Sequence, residues 1–159
     1  MIRKVSREAI AFDPRAMGEW CQQPFPGYPN GCPSYGKRET CPPNTQPYYK
    51  LIDPPYYLVA QSMNLKEARQ DEEKIPPRHR EKQVQGYDHW FPILEQTVLE
   101  EAKKFILTQS EDYMVIICPS AVGIDIFQTC QNIGISLDKN PKGIFWKIAV
   151  LGKKVNPSH

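Results

Sequence analysis

Ile144-Phe145-Trp146-Lys147-Ile148-Ala149-Val150-Leu151 is the stretch on which the fold turns. Apolar side chains fill almost every position, and they alternate only loosely. A strand with one wet face alternates apolar and polar residues, so this run reads as a strand covered on both faces. A strand covered twice needs partners at its sides and layers above and below it.

Two other runs supply the partners. Tyr113-Met114-Val115-Ile116-Ile117-Cys118 reads as a central strand ended by Pro119, with Cys118 at its carboxyl edge. Tyr56-Tyr57-Leu58-Val59-Ala60-Gln61-Ser62 follows Pro54-Pro55 and reads as a buried strand. The first residues, 2–12, predict a short strand before Asp13-Pro14 starts a turn. The strongest helix runs over 89–108. Phe91, Leu94, Val98, Ala102 and Phe105 recur at steps of three and four and form one face. Asp88 can cap it, and Pro92 suits its first turn. A second helix is capped by Asp125, with Gln128 at the capping-box position and Gly134 after its end. A third, shorter helix is expected over 65–74 behind Asn64, followed by a charged loop over 75–86.

The expected fold is therefore a single small α/β (or α+β) domain. It has a central mixed sheet of about three to five strands with helices packed on it. Residues 13–55 form an irregular Pro/Cys-rich loop region, 56–152 the core and 153–159 a polar tail. At 159 residues the chain can bury a core without help from disulfides or metals. Its net charge of +2 gives no mandate for nucleic acid or an acidic membrane. No segment approaches the ~20 apolar residues of a membrane span, and the first residues lack the apolar stretch of a secretory signal. The cytoplasm is the expected location.

The irregular third of the chain carries the chemistry. Nine of the sixteen prolines lie between Pro24 and Pro55. Within that region stands Gly31-Cys32-Pro33-Ser34-Tyr35-Gly36-Lys37-Arg38-Glu39-Thr40-Cys41-Pro42-Pro43. Each cysteine stands directly before proline, which biases it toward extended backbone. A loop that fixes two sulfurs without helix or strand is costly in entropy unless something ties it down. Metal ligation supplies such free energy directly. Five cysteines is an odd count, and in a reducing compartment clustered thiols point to metal or redox chemistry rather than disulfides. Ten residues separate Cys21 from Cys32, and eight separate Cys32 from Cys41. Neither is the tight spacing of a zinc ribbon, so spacing alone leaves ligation and unrelated loop thiols equally open.

In Asp13-Pro14-Arg15, Cys21, Cys32, Tyr35-Gly36 and Cys41-Pro42-Pro43 the chain resembles an uncharacterised cysteine-rich family of predicted metal-binding proteins. The likeness continues through Pro119-Ser120 and Val122-Gly123-Ile124-Asp125-Ile126-Phe127 to the closing strand. It departs in the long gap between Cys21 and Cys32. It departs again in lacking the family's second cysteine cluster, of which only Cys118 stands here. The resemblance implies one centre on Cys21, Cys32 and Cys41, with Cys118 as a candidate fourth ligand.

Widely spaced cysteines without paired histidines favour an iron–sulfur cluster, of the 4Fe-4S type, over zinc. Three thiolates would leave one iron open for electron or sulfur transfer or for a substrate. The partner would be an unidentified small molecule or a redox protein. A zinc-stabilised adaptor without catalysis is one alternative. A nucleotide- or RNA-modifying enzyme using the charged loop 69–82 is another, although the mixed signs of that loop argue against nucleic acid. Cys130 lies on a helical apolar face and reads as core. His79, His89 and His159 read as surface residues, Lys37-Arg38 as a solvated turn, and Asp125 as a cap.

Overall fold

The computed structural model describes residues 1–24, 29–64, 67, 87–137 and 143–156. Four strands form one sheet: β1 (Ile2–Val5), β2 (Ile52–Asn64), β3 (Tyr113–Ile116) and β4 (Ile144–Lys154). Their order across the sheet is β1-β2-β4-β3. Two α-helices accompany them among the described residues, α1 (Tyr87–Leu107) and α2 (Ile126–Asn132). The helix expected over 65–74, the loop over 75–86, His79 and His159 fall mainly or wholly outside the described residues.

β4 is an inner strand with both faces covered, as its loose alternation implied. On one face Ile148 and Val150 join Tyr56, Leu58, Ala60, Ile116, Ile124 and Cys130 in the larger core cluster. On the other, Ala149 and Leu151 meet Val59 of β2 and Val98 and Ala102 of α1. Phe145 packs with Leu94 on that same helix-facing side.

Every hydrogen-bonded neighbour in the sheet is antiparallel, where a mixed sheet was expected. β2 and β3 do run parallel and have α1 in sequence between them. The last strand, however, returns into the gap between them and pairs with both in the opposite sense. Interleaving a later strand in this way cannot be read from local sequence.

The element bounds differ from expectation in ways that matter below. β2 begins at Ile52, so Pro54-Pro55 lie within it, at a register shift between Asp53 and Tyr57. A bulge is where a strand tolerates residues that cannot donate to the ladder. β4 continues to Lys154, which shortens the polar tail. β1 stops at Val5, where Ser6 caps the turn Arg7–Ala9. α1 begins at Tyr87, so Asp88 lies inside it rather than capping it, and Pro92 is interior. β3 ends at Ile116, two residues short of Cys118. Pro119 opens the turn Pro119–Val122, and the backbone leaves the ladder to enter it.

The helical stripe is buried as its spacing predicts: Leu94, Val98 and Ala102 are inside, and Phe105 packs against the same cluster. No helix among the described residues is long and apolar enough to cross a membrane. Leu94→Ala should lower unfolding free energy by about 2–5 kcal/mol. Leu107→Ala, at a side chain 86% exposed, should stay close to wild type. Equal midpoints for the two variants in urea titrations would remove α1 from the core.

Candidate metal centre

Two short attachments bring the irregular N-terminal third onto the stretch that follows β3. Phe12 forms a β-bridge with Ile124, flanked by Asp13 N–H to Gly123 O at 2.8 Å and Asp125 N–H to Ala11 O at 2.9 Å. Gly123 has φ +85, and an added Cβ would lie 2.2 Å from the Phe12 ring, so both its conformation and its contact require glycine. Asp13 then caps the turn Pro14–Ala16 and accepts from the Arg15 guanidinium through both carboxylate oxygens. Those hydrogen bonds hold its carboxyl below the usual range. The second attachment is Thr45, whose hydroxyl donates to Ala121 O at 2.6 Å. It ties the segment after Cys41 to the turn after Cys118.

Inside this frame the cysteines converge. Cys21 lies in the turn Trp20–Gln22. Cys32 N–H donates to Cys21 O at 2.6 Å, so the long gap between these residues is a loop whose ends touch. Gly31 makes that closure possible: its φ is +84, and a Cβ there would stand 2.6 Å from Cys21 O. Successive turns carry the chain from Cys32 to Cys41 through Tyr35 N–H to Cys32 O and Cys41 N–H to Arg38 O. Gly36 N–H to Pro42 O, at 2.8 Å, folds the middle of this loop back onto its far end. Pro42 is fully buried and anchors the Cys-Pro-Pro segment.

All five cysteines are free thiols, and Cys21, Cys32 and Cys41 are half-buried. Burial pushes the Cys21 thiol up, and the negative charges of Cys32, Cys41 and Cys118 push it further, while a backbone hydrogen bond from Gly18 opposes them. Cys118 has surface open to solvent, yet desolvation raises its thiol. Lys147 pulls it the other way, whereas Glu95, Cys41 and Cys32 raise it. The four sulfurs therefore share one electrostatic neighbourhood. Among the described residues, no three Cys, His, Asp or Glu side chains stand close enough to hold a single metal ion.

Cys130 stands apart: it is wholly buried, and burial pushes its thiol up to about 11. Asp125 is the cap expected of it, accepting from Gln128 N–H at 3.0 Å. The Gln128 side chain donates to Asn132 instead of completing a capping box. Lys37 and Arg38 are exposed.

The sequence reading passed over Lys147 and Glu95. Lys147 is the one buried charged side chain among the described residues, 7% exposed. It pairs with Glu95 at 3.5 Å and lies 4.8 Å from the Phe91 ring centroid. The available signal was a lysine in an otherwise apolar octet; its partner sits on α1, beyond any local pattern. No family model, no curated protein and no solved structure matches this chain.

In metal-free native protein at neutral pH, a small alkylating reagent should modify Cys118 and the loop cysteines well before Cys130. Peptide mass mapping over time checks the order. Early modification of Cys130 would place the inner face of α2 outside the core.

Proposed function

We propose that this chain is a metal-binding protein with a single thiolate-ligated iron–sulfur centre on Cys21, Cys32, Cys41 and Cys118. The observation that carries the reading is the convergence of the cysteine segments: Cys32 N–H meets Cys21 O at 2.6 Å, and the Thr45 hydroxyl, after Cys41, donates to Ala121 O in the turn after Cys118. Thiolates around one tetrahedral zinc lie ~3.8 Å apart, given Zn–S bonds of about 2.3 Å. A 4Fe-4S cluster takes one thiolate at each iron, and its ligands stand farther apart. Four sulfurs that repel one another when ionised also gain most from a cationic core placed among them. The donor set fits, since it is all sulfur.

Cys118 as fourth ligand favours a closed centre over the open iron suggested by three loop cysteines. A closed cluster of this kind supplies one-electron transfer. The protein would hold its four ligands, exclude water through the Pro42 segment and steady the Cys21 sulfur by the Gly18 backbone. A redox partner and a reducing, cytoplasmic setting follow from that reading. The resemblance to the cysteine-rich metal-binding family, in the order of its motifs, points the same way.

Anaerobic reconstitution with iron and sulfide tests it. Wild-type protein should turn brown and absorb near ~400 nm by thiolate-to-iron charge transfer. Cys32→Ser and Cys41→Ser should abolish the chromophore, and Cys130→Ser should leave it intact. Cys118→Ser should lose or destabilise it; a full, stable chromophore in that variant would return the site to an open iron. Stoichiometric zinc without colour would refute the cluster in favour of a structural zinc domain.

A further inference from the structure

Ten residues separate Cys21 from Cys32 in the chain, yet their backbones touch. Cys32 N–H donates to Cys21 O at 2.6 Å. Standard bond lengths then hold the two Cα atoms within about 6.5 Å of each other, whatever the angles at the hydrogen bond. A disulfide spans Cα separations of about 4.4–6.8 Å. Gly31 keeps the approach close: a Cβ there would stand 2.6 Å from Cys21 O and 2.8 Å from the carbonyl carbon of Gln22. Both cysteines are free thiols and only half-buried, so a small reagent in solvent reaches them. Among the described residues no other two cysteines share a backbone hydrogen bond. Cys41 N–H turns back to Arg38 O, Cys118 O accepts from Ala121 N–H, and Cys130 is sealed in the core.

We infer that Cys21 and Cys32 are a reversible disulfide pair in the metal-free protein, a redox gate that a peroxide closes and a dithiol opens. Closing runs in two balanced steps. One sulfur takes an oxygen from hydrogen peroxide; the O–O bond breaks, leaving a sulfenic acid and one water. The second sulfur attacks the sulfenic sulfur; the S–S bond forms, the S–O bond breaks, and hydroxide leaves as water with the second thiol's proton. The two thiols give up two electrons and two protons, and the peroxide gains them. A dithiol reverses this by thiol–disulfide exchange and is itself oxidised to a disulfide. The loop favours this pairing because its ends already meet, so the new bond adds little closure entropy. In agreement, the Cys21 thiol is raised first by burial and next by Cys32, ahead of Cys41 and Cys118. A disulfide offers no thiolate, so the closed pair withdraws two of the four proposed ligands. That consequence, and it alone, rests on the proposed centre.

Full-length, metal-free, reduced protein tests the pair. It is treated with one equivalent of hydrogen peroxide, blocked with N-ethylmaleimide, digested without reductant and mapped by mass. A peptide linked through Cys21 and Cys32 should be the main oxidised product, and dithiothreitol should abolish it. Cys41→Ser and Cys118→Ser should keep the link. Gly31→Ala, whose Cβ collides with the Cys21 carbonyl, should form it several-fold more slowly. A main link through Cys41 or Cys118, an even mixture of pairings, sulfinic acid in place of any disulfide, or an unchanged rate in Gly31→Ala would overturn the pair. The gate is read separately. Peroxide-treated protein mixed anaerobically with iron and sulfide should stay colourless while the link persists in the map, and should turn brown once dithiothreitol is added. A full chromophore with the link intact would overturn the gate and leave the pair standing. Reduced wild type that forms the link with peroxide but takes no cluster would refute the proposed centre and uphold the pair.

Discussion

The pairing of β2 with β4 carries the rest of the molecule. It runs from Ile52 opposite Lys154 to Asn64 opposite Ile144, the longest ladder among the described residues. A single buried strand in this position has no solvent to satisfy its backbone, so both its edges must be paired. β2 takes one edge, and the short β3 takes the other. Because these strands are inner, their side chains on both faces lose water, and each face recruits its own layer. α1 covers one side. The N-terminal turns and α2 cover the other. The proline pair in β2 is accommodated because it falls at the one register shift, where the ladder is already interrupted.

That scaffold explains how a segment with little regular structure is held in place. Proline lowers the entropy of the free loop before any contact forms. The remaining cost is met at a few points: the Phe12–Ile124 bridge, buried Ala16 and Pro42, and the Thr45 hydroxyl. The bridge and the Thr45 hydroxyl attach to the stretch that follows β3. The Asp13-Pro14-Arg15 turn and the Gly123-Ile124-Asp125 stretch, far apart in the chain, are two sides of one joint. The cysteines stand on either side of that joint, which is why loop thiols and Cys118 come into one field.

Legibility in the sequence followed the range of the interactions. The stripe on α1 and the two-faced strand are local periodicities, and both appear in the fold. The Asp125 cap and the glycine after α2 are equally local. The antiparallel insertion of β4 between β2 and β3 was hidden, since it is a pairing choice made by the whole chain. The start of β2 was hidden by Pro54-Pro55, which reads as a boundary until a bulge is known. The closure of Cys32 onto Cys21 was hidden for a related reason. Ten intervening residues suggested distance, whereas Gly31 allows the backbone to return. Lys147 was least visible, because its meaning comes from Glu95 and Phe91 on another element.

The charge pattern at the joint connects these points. Burial, and after it the neighbouring Cys32, Cys41 and Cys118, make the Cys21 thiol resist ionising. The protein answers with little positive charge of its own there: Lys37 and Arg38 are exposed on a turn, and Arg15 is taken by Asp13. Among the described residues only Lys147 is a buried cation, and it is paired with Glu95. One shared ammonium cannot offset four thiolates at once. On the proposed reading, a cationic metal core among the sulfurs would supply that balance.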